Sequence, residues 1–498
     1  MKNIVLLGGS NSVMVNGLQK GLREYANVTN LALGGTTSLQ NLYELKRSRN
    51  QEIIQNANLI ITESVINELD NHNIRENLSL EIIFKNLQYL YATLYELKKP
   101  VCILVLPYRI KNYQIIINMH RFLANYYGVN IVDMQSYYQN NEIISFGNKF
   151  GGHQLAIVNR YVGKEIAKNI DKFKVSNKKL DINLPDFKIL TPENMKKAGN
   201  FKIFNPNNSV YNEIAYRLEN GNNLSFNNCD GYQIIGVHSW NLEPNGEITK
   251  LNFGIATAHC ASIHIKKADK NIVKPTSKLN IFCEIQAEPV INRDLIIKFN
   301  DENLENTEFY INSHLEKPNK VILPYFDLIA FFLCKPNPKM KLFDLSVIPS
   351  DTDIKIDPEL DCSHLIPNIV FFKDSMEFID EYIGHLYSNI TRHIDSVLTP
   401  QIIQKAQAQI LSQLSQNATQ TQQSTPNLQL SPEAENKILK AKIAKLENEY
   451  QKALKLKNNL SYKLGQALIK ANKTWYKGGY IKFIFEAIRI KKEHKTIN

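Results

Sequence analysis

The hydrophobic pattern of the first third of the chain differs from the pattern that follows it. Up to residue 173, short apolar runs alternate with longer amphipathic stretches. Short apolar runs between turns predict buried strands, and apolar positions three or four apart predict helices. The predicted strands are 4–7, 28–32, 59–62, 102–106 and 130–133, and the predicted helices are 13–25, 78–98, 113–127 and 154–170. This alternation predicts an α/β domain over residues 1–173, with a parallel sheet covered on both faces.

From residue 174 to 375 the helical period fades, and short apolar or alternating runs stand between turns rich in Asn, Gly and Pro. The clearest runs are 279–286, 295–299, 308–311, 321–323 and 328–333. Several short strands at such spacing are typical of an antiparallel sandwich or jelly roll. We therefore predict a second, β-sandwich-like domain over 174–375. Carbohydrate binding is an expectation for this domain that the fold alone does not establish.

The last part of the chain is predicted to be helical, with a linker inside it. Residues 376–432 begin as a helix and continue as a segment rich in Gln, Ser and Thr, with ten glutamines in 401–432. Residues 433–498 begin with apolar positions in a 4–3 spacing, which predicts a coiled coil or a docking helix. A coiled coil makes a homo-oligomer one expected assembly.

Charge is concentrated at the end of the chain, which carries most of the net +11. Residues 452–498 contain eleven Lys and one Arg against two Glu, a net charge of +10. Because aromatic and aliphatic residues alternate with these cations, the segment is suited to an anionic membrane surface, or its aromatics pack on the protein's own domains. The remainder is nearly neutral, so we predict no nucleic-acid-binding core.

The compartment is predicted from the N-terminus and the cysteines. The apolar run after Met1 is too short for a signal peptide, and no run of 18 apolar residues occurs. The six cysteines form no CxxC pair, so reduced and mostly buried thiols are expected. These features predict a cytoplasmic protein that is peripheral to a membrane through its tail.

Candidate chemistry begins directly after the first predicted strand. Ser10 follows Gly8 and Gly9, which allow a sharp turn, and it precedes a helix whose free N–H groups favour negative charge. A serine hydroxyl needs a base, and His153 before the last helix of the domain is the best candidate. The ends of parallel strands meet at one edge of a sheet, which makes this edge the expected site. A nucleotide-binding loop or a plain turn is the alternative at Ser10, although no GxGxxG or GxxxxGK[ST] motif is present.

Two further positions at the same edge can hold developing negative charge. Gly34 follows the second strand and offers a bare backbone N–H, and Asn67 follows the third strand and offers a side-chain amide. With the Ser10 N–H they form the parts of an oxyanion hole. The simpler interpretations are a helix cap for His153 and a loop hydrogen bond for Asn67.

The segments GGSNS, LALGGTTS, ESVINE and GGHQLA, in this order, resemble the four sequence blocks of the SGNH (GDSL-like) hydrolase superfamily. The resemblance covers the first third of the chain and implies a flavodoxin-like parallel sheet with serine-dependent ester chemistry. Two positions depart from the family. Gly9 replaces the Asp of its GDS motif, and Phe150 stands where the family has an Asp, three residues before the His. A Ser10–His153 dyad is therefore predicted, with His153 oriented by a backbone carbonyl or by Asp133.

The tail SYKLGQALIKANKTWYKGGYIKFIFEAIRIKKE is similar to the C-terminal segment of Gram-negative capsular-polysaccharide sugar transferases. This resemblance implies the inner-membrane surface as the partner of 452–498. It also implies transfer of a small group, acyl or O-methyl phosphoramidate, from an activated donor to a carbohydrate acceptor. The alternatives are a carbohydrate esterase that uses the same residues, and a non-catalytic protein of polysaccharide assembly.

No cofactor and no metal are predicted. His259, Cys260 and His264 are the one group that suggests a metal site. In a strand, residues five apart lie on opposite faces, so the two histidines are not expected to bind the same metal ion.

Overall fold

The computed structural model describes residues 1–148, 151–243, 258–268, 270–277, 280–310 and 320–393, together with Arg489. Residues 1–373 form one compact unit and residues 374–498 form another. The predicted linker beyond residue 393, the coiled coil and the basic tail lie outside the described residues, apart from Arg489. No described helix is both long and apolar enough to cross a bilayer.

The first region contains a five-stranded parallel sheet in the order β2-β1-β3-β4-β5. Its strands are β1 Lys2–Gly8, β2 Ala26–Asn30, β3 Leu59–Glu63, β4 Val101–Val105 and β5 Asn130–Asp133. This is the flavodoxin-like order, in which the direction of winding reverses between β1 and β3. The predicted α/β fold and all five predicted strands are confirmed. The reversal leaves a crevice outside the carboxyl ends of β1 and β3.

Among the described residues, ten α-helices precede the sandwich in the chain, and an eleventh begins at Val370. They are α1 Ser10–Val13, α2 Leu18–Arg23, α3 Ser38–Lys46, α4 Gln51–Gln55, α5 Val65–Asp70, α6 Leu80–Glu96, α7 Tyr113–Tyr127, α8 Met134–Asn140, α9 Ile144–Asn148, α10 Ala156–Lys168 and α11 Val370–His393. The single helix predicted over 13–25 is wrong, because the chain leaves helical geometry between Met14 and Gly17. A π-helical turn, Asn71–Arg75, extends α5.

The second region forms two six-stranded sheets. One has the order β13-β12-β15-β10-β7 with β16 on β12, and the other has the order β14-β11-β17-β9-β8 with β6 on β17. All pairings are antiparallel except that of β12 with β16. The strands are β6 Asp186–Leu190, β7 Lys196–Ala198, β8 Lys202–Phe204, β9 Ala215–Leu218, β10 Asn223–Ser225, β11 Gln233–Trp240, β12 Ala258–Lys266, β13 Asn271–Ser277, β14 Asn280–Glu284, β15 Ile296–Phe299, β16 Lys320–Ile322 and β17 Phe326–Lys335.

The two sheets enclose a hydrophobic core to which both contribute, as a sandwich requires. The strand predicted at 308–311 is absent from the described residues 308–310. The Glu308 carboxylate lies 3.5 Å from the Lys274 ammonium instead of continuing a ladder. His259 and His264, which were expected to lie on opposite faces of one strand, both fall in β12. Buried His264 contacts Asn271 through Nε2 at 3.0 Å, and the side chain of His259 lies outside the described set.

The two regions share a second hydrophobic core. Tyr43 of α3 packs on Phe282 and Phe332 of the sandwich, with ring centroids 5.0 and 5.6 Å apart. The segment after the sandwich returns to the outer edge of β5, where the N–H groups of Ile131 and Cys362 form backbone hydrogen bonds of 2.9 and 2.8 Å across the edge. Covering this edge protects unpaired strand groups, and it joins the sandwich region to the parallel sheet.

Helices α2 and α10 pack backbone to backbone because each presents a glycine to the other. A Cβ on Gly21 would lie 1.8 Å from the Arg160 carbonyl oxygen, and a Cβ on Gly163 would lie 2.3 Å from the Leu18 carbonyl oxygen. Both contacts are with backbone, which side-chain rotation cannot relieve. The close approach fixes α10 directly behind the first strand–helix junction.

We expect Gly21→Ala to lower the free energy of unfolding by about 2–4 kcal/mol, because the two helices must separate. Urea unfolding followed by circular dichroism measures the change. Gly17→Ala is the matched control, since a Cβ there meets nothing closer than 3.4 Å. Equal stability of the two variants would contradict the tight packing of α2 on α10.

Candidate active site

The loop that contains the candidate nucleophile Ser10, residues 8–12, begins where β1 ends, at the crevice between β1 and β3; it is called the nucleophile loop below. Gly8 has φ +157°, and a Cβ there would lie 2.5 Å from Ser12 Oγ and 2.8 Å from the Glu63 carbonyl oxygen. Glycine is therefore required at this position. The turn places Ser10 at the first position of α1, partly exposed at the rim of the sheet.

The structure brings Ser10 and His153 together across 143 residues of chain. Ser10 Oγ lies 2.8 Å from His153 Nε2, which is hydrogen-bond distance for a nucleophile and its base. His153 is exposed in the loop before α10. The predicted proximity of these two side chains is therefore confirmed.

Asn11 holds the two loops in register, and sequence reasoning did not single it out. Its side chain is 1% exposed; its Nδ2 donates to the Gly152 carbonyl at 2.9 Å, and its Oδ1 accepts from the Gln154 N–H at 3.2 Å. Asn159 Nδ2 donates to the same oxygen at 3.1 Å. A buried amide directly after the serine was the available signal, because such a group requires partners.

Both predicted oxyanion donors lie beside the nucleophile. A Cβ on Gly34 would be 3.9 Å from Ser10 Cβ, and one on Gly9 would be 1.4 Å from Asn67 Nδ2. The Asn67 amide is thus pressed against the nucleophile loop. Its Nδ2 is buried and has no hydrogen-bond partner among the described residues. A buried donor left unpaired next to a nucleophile is available for a developing oxyanion.

Asp133, the predicted orienting acid, is not brought to His153. Its carboxylate accepts from Arg121 Nε at 2.8 Å and from the Ser136 backbone N–H at 2.9 Å, where it caps α8. No hydrogen bond joins it to His153 within the described residues. Phe150, at the position of the family's acid, lies outside the described residues.

Asp70, the last residue of α5, is a carboxylate that interacts electrostatically with His153. Burial raises the pKa of Asp70, while Arg75, a hydrogen bond with Tyr108 and the charge of His153 oppose the rise. Asp70 follows Asn67 by three residues, so both lie on one face of α5. The spacing N-x-x-D after the third strand was a signal that the sequence contained.

Glu63 is a buried carboxylate directly under the nucleophile loop. It accepts from Ser12 Oγ at 3.2 Å and is 1% exposed. Burial raises its pKa to about 7, although hydrogen bonds from the Gly9 backbone and Ser12 oppose the rise. An ionisable group beneath the serine therefore titrates near neutral pH.

We expect Glu63→Gln to remove a pH-dependent loss of stability. The unfolded carboxyl has a pKa near 4.5, so the folded state binds more protons between that pH and about 7. Glu63 stabilises the fold fully below pH 4.5, and this contribution is lost as the pH rises through 7. At 1.36 kcal/mol per pKa unit the difference reaches at most about 3 kcal/mol.

Urea unfolding of both proteins at pH 5 and pH 8 measures this difference. Wild type should lose more stability than Glu63→Gln over that interval, while the other carboxyl groups cancel between the two proteins. Parallel pH dependence of the two proteins would show that Glu63 does not titrate in this range.

Comparison with known proteins gives limited similarity. Residues 431–496 match a family model described as Domain of unknown function (DUF8374). No curated protein sequence matches the chain. The resemblance of the tail to capsular sugar transferases stays a prediction.

Three solved structures align with about a third of the chain. The lipase Lip_vut3 from a goat rumen metagenome is 15% identical, with 34% of this chain and 97% of the lipase covered and a TM-score of 0.27. TesA is 17% identical with the same coverages and TM-score. A protein from Bacillus subtilis is 13% identical, with 34% and 55% covered and a TM-score of 0.24. These identities and TM-scores are too low to support an argument about activity. Such an argument has to come from the geometry of the site.

Proposed function

We propose that residues 1–173 form a serine-dependent ester hydrolase or transferase of the SGNH type. The single observation that supports this most is the 2.8 Å contact between Ser10 Oγ and His153 Nε2 at the rim of the sheet. If His153 only capped the helix that follows it, its imidazole would not need to contact the Ser10 hydroxyl. The Asn67 amide, which has no hydrogen-bond partner among the described residues, would also have no role beside it.

The proposed first step is attack of Ser10 Oγ on the carbonyl carbon of an ester. His153 Nε2 takes the hydroxyl proton while the new C–O bond forms and the carbonyl π electrons move to oxygen. The Gly34 N–H, the Ser10 N–H and the Asn67 amide hold that oxyanion. The tetrahedral species then expels the alcohol, which takes the proton from His153 and leaves an acyl-Ser10.

The second step decides between hydrolysis and transfer. Water or a sugar hydroxyl gives its proton to His153 and attacks the acyl carbon of acyl-Ser10. The bond between that carbon and Ser10 Oγ then breaks, Ser10 takes the proton back from His153, and a free acid or a new ester is released. We favour transfer of a small acyl or O-methyl phosphoramidate group to a surface-polysaccharide hydroxyl, on the resemblance of the tail to capsule enzymes. Within this proposal the sandwich contacts the carbohydrate, and 452–498 binds the inner-membrane surface.

A carbohydrate esterase is the first alternative, and the exposure of His153, which lets water reach the acyl-Ser10, favours it. The alternative of a non-catalytic assembly protein draws on the absence of an acid hydrogen-bonded to His153 in the described residues.

The test treats the full chain with a fluorophosphonate and identifies the modified peptide by mass spectrometry, then follows p-nitrophenyl acetate with and without an oligosaccharide acceptor. We expect modification at Ser10 and release of p-nitrophenol. Acetylated oligosaccharide supports transfer, and acetate alone supports the esterase. No modification of Ser10 and no turnover would leave the non-catalytic role.

A further inference from the structure

A cluster of buried ionisable side chains lies where the sandwich meets the first region. Its members are each 9% exposed or less: Glu76, Lys274, Glu284 and Glu308. Lys274 Nζ donates to Glu76 and lies 3.5 Å from Glu308 Oε2. Charges are buried at high cost unless they are paired, so this arrangement requires both regions to be in place.

Glu284, at the end of β14, connects the cluster to the loop that contains the candidate oxyanion donor Gly34. Thr37 Oγ1 donates to Glu284 Oε1, although 247 residues separate the two. Thr37 is the N-cap of α3 and stands three residues after Gly34. Glu284 also hydrogen-bonds Glu76. The carboxyl group from the sandwich therefore holds the end of the loop that contains Gly34.

The same cluster is connected to Asn67, the other candidate oxyanion donor, through the π-helical turn Asn71–Arg75. The Glu76 N–H donates to the Asn71 carbonyl at 3.2 Å. Asn71 Nδ2 in turn donates to the Gly35 carbonyl at 3.2 Å and to the Asn67 carbonyl at 2.8 Å. Gln286 Nε2, also from the sandwich region, donates to the Glu76 carbonyl at 2.8 Å. Both donors are thus connected to one buried network.

We infer that Glu284 is a positioning residue for the oxyanion hole of the Ser10 site, and that the sandwich is a structural part of the active site. The inference rests on the proposed function. Glu284 does not touch the substrate; it fixes the loop through Thr37, so that the Gly34 N–H faces the oxygen that becomes negative. Displacement of such a donor by about 1 Å is enough to cost on the order of 10²-fold in rate.

The test compares Glu284→Ala and Glu284→Gln in the full chain with p-nitrophenyl acetate. Glu284→Ala should lower kcat by about 10- to 100-fold and change KM less than about twofold, because the lost contact acts on the transition state. Glu284→Gln keeps an acceptor for Thr37 and should restore most of kcat. Glu288→Ala is the matched control, since it removes the ion pair with Lys85 between the same two regions but away from the loop.

Three results would overturn the inference. They are a folded Glu284→Ala with the kcat of wild type, a Glu288→Ala that loses as much kcat as Glu284→Ala, and a Glu284→Gln that recovers none. If Glu284→Ala does not fold, Thr37→Val removes the same hydrogen bond together with the cap that Thr37 Oγ1 provides for the Leu39 N–H. A Thr37→Val variant with the kcat of wild type would then overturn the inference. Wild type that neither turns over esters nor reacts at Ser10 would instead reject the proposed function.

Discussion

Ser10→Ala is expected to lower ester turnover by at least about 10³-fold and to abolish fluorophosphonate modification, with the fold unchanged. In the proposed mechanism the serine supplies the atom that forms the covalent bond, and its Oγ lies 2.8 Å from the His153 imidazole that activates it. Residual turnover would come from oxyanion binding alone, which leaves only a small fraction of the rate. Initial rates with p-nitrophenyl acetate and intact mass after labelling measure the effect.

Ser48→Ala is the control for this substitution, because Ser48 is exposed on a 3-10 turn before α4. It should keep the rate and the labelling of wild type. Since the Ser10 side chain is only partly buried, the two variants should unfold at nearly the same urea concentration. Labelling that persists in Ser10→Ala would place the nucleophile elsewhere in the chain.

Gly9→Ala is expected to lower kcat by about 10²-fold, because it displaces the Asn67 amide. An added Cβ would lie 1.4 Å from Asn67 Nδ2 and 2.5 Å from Asn67 Cγ, so the two side chains cannot both keep their places. The backbone of Gly9, at φ −100°, does not require glycine. The effect therefore arises from the contact with Asn67 rather than from strain in the turn.

A double-mutant cycle separates this contact from other effects of Gly9→Ala. Asn67→Ala removes the amide by itself, so adding Gly9→Ala should cost little more, and the two losses should not add. Steady-state kcat for the four proteins gives the coupling. Additive losses, or a Gly9→Ala variant with the kcat of wild type, would show that Gly9→Ala does not act through the Asn67 amide. An Asn67→Ala variant with the kcat of wild type would show that this amide is not a donor of the site.

The pattern of apolar residues was sufficient for the sheet but not for every helix. The central strands β3 and β4 are runs buried on both faces, so their positions can be read locally, whereas the edge strand β2 is only partly buried. Helix α3 was missed because its buried face includes Gln40, Asn41 and Glu44, which weakens the apolar period. Those polar groups are buried because partners elsewhere accept or donate to them, such as the Thr62 hydroxyl for Asn41.

Sequence alone located the parts of the proposed active site, because Ser10, Gly34, Asn67 and His153 each lie at a junction of a strand and a helix or loop. Parallel strands place such junctions at one rim, so the proximity of Ser10 and His153 followed from topology. The hydrogen-bond and ion-pair partners of the charged and amide side chains did not follow from the sequence pattern. Asp133 pairs with Arg121, and Thr37 contacts Glu284. These pairings depend on packing between segments far apart in the chain, which a local pattern of residue types does not encode.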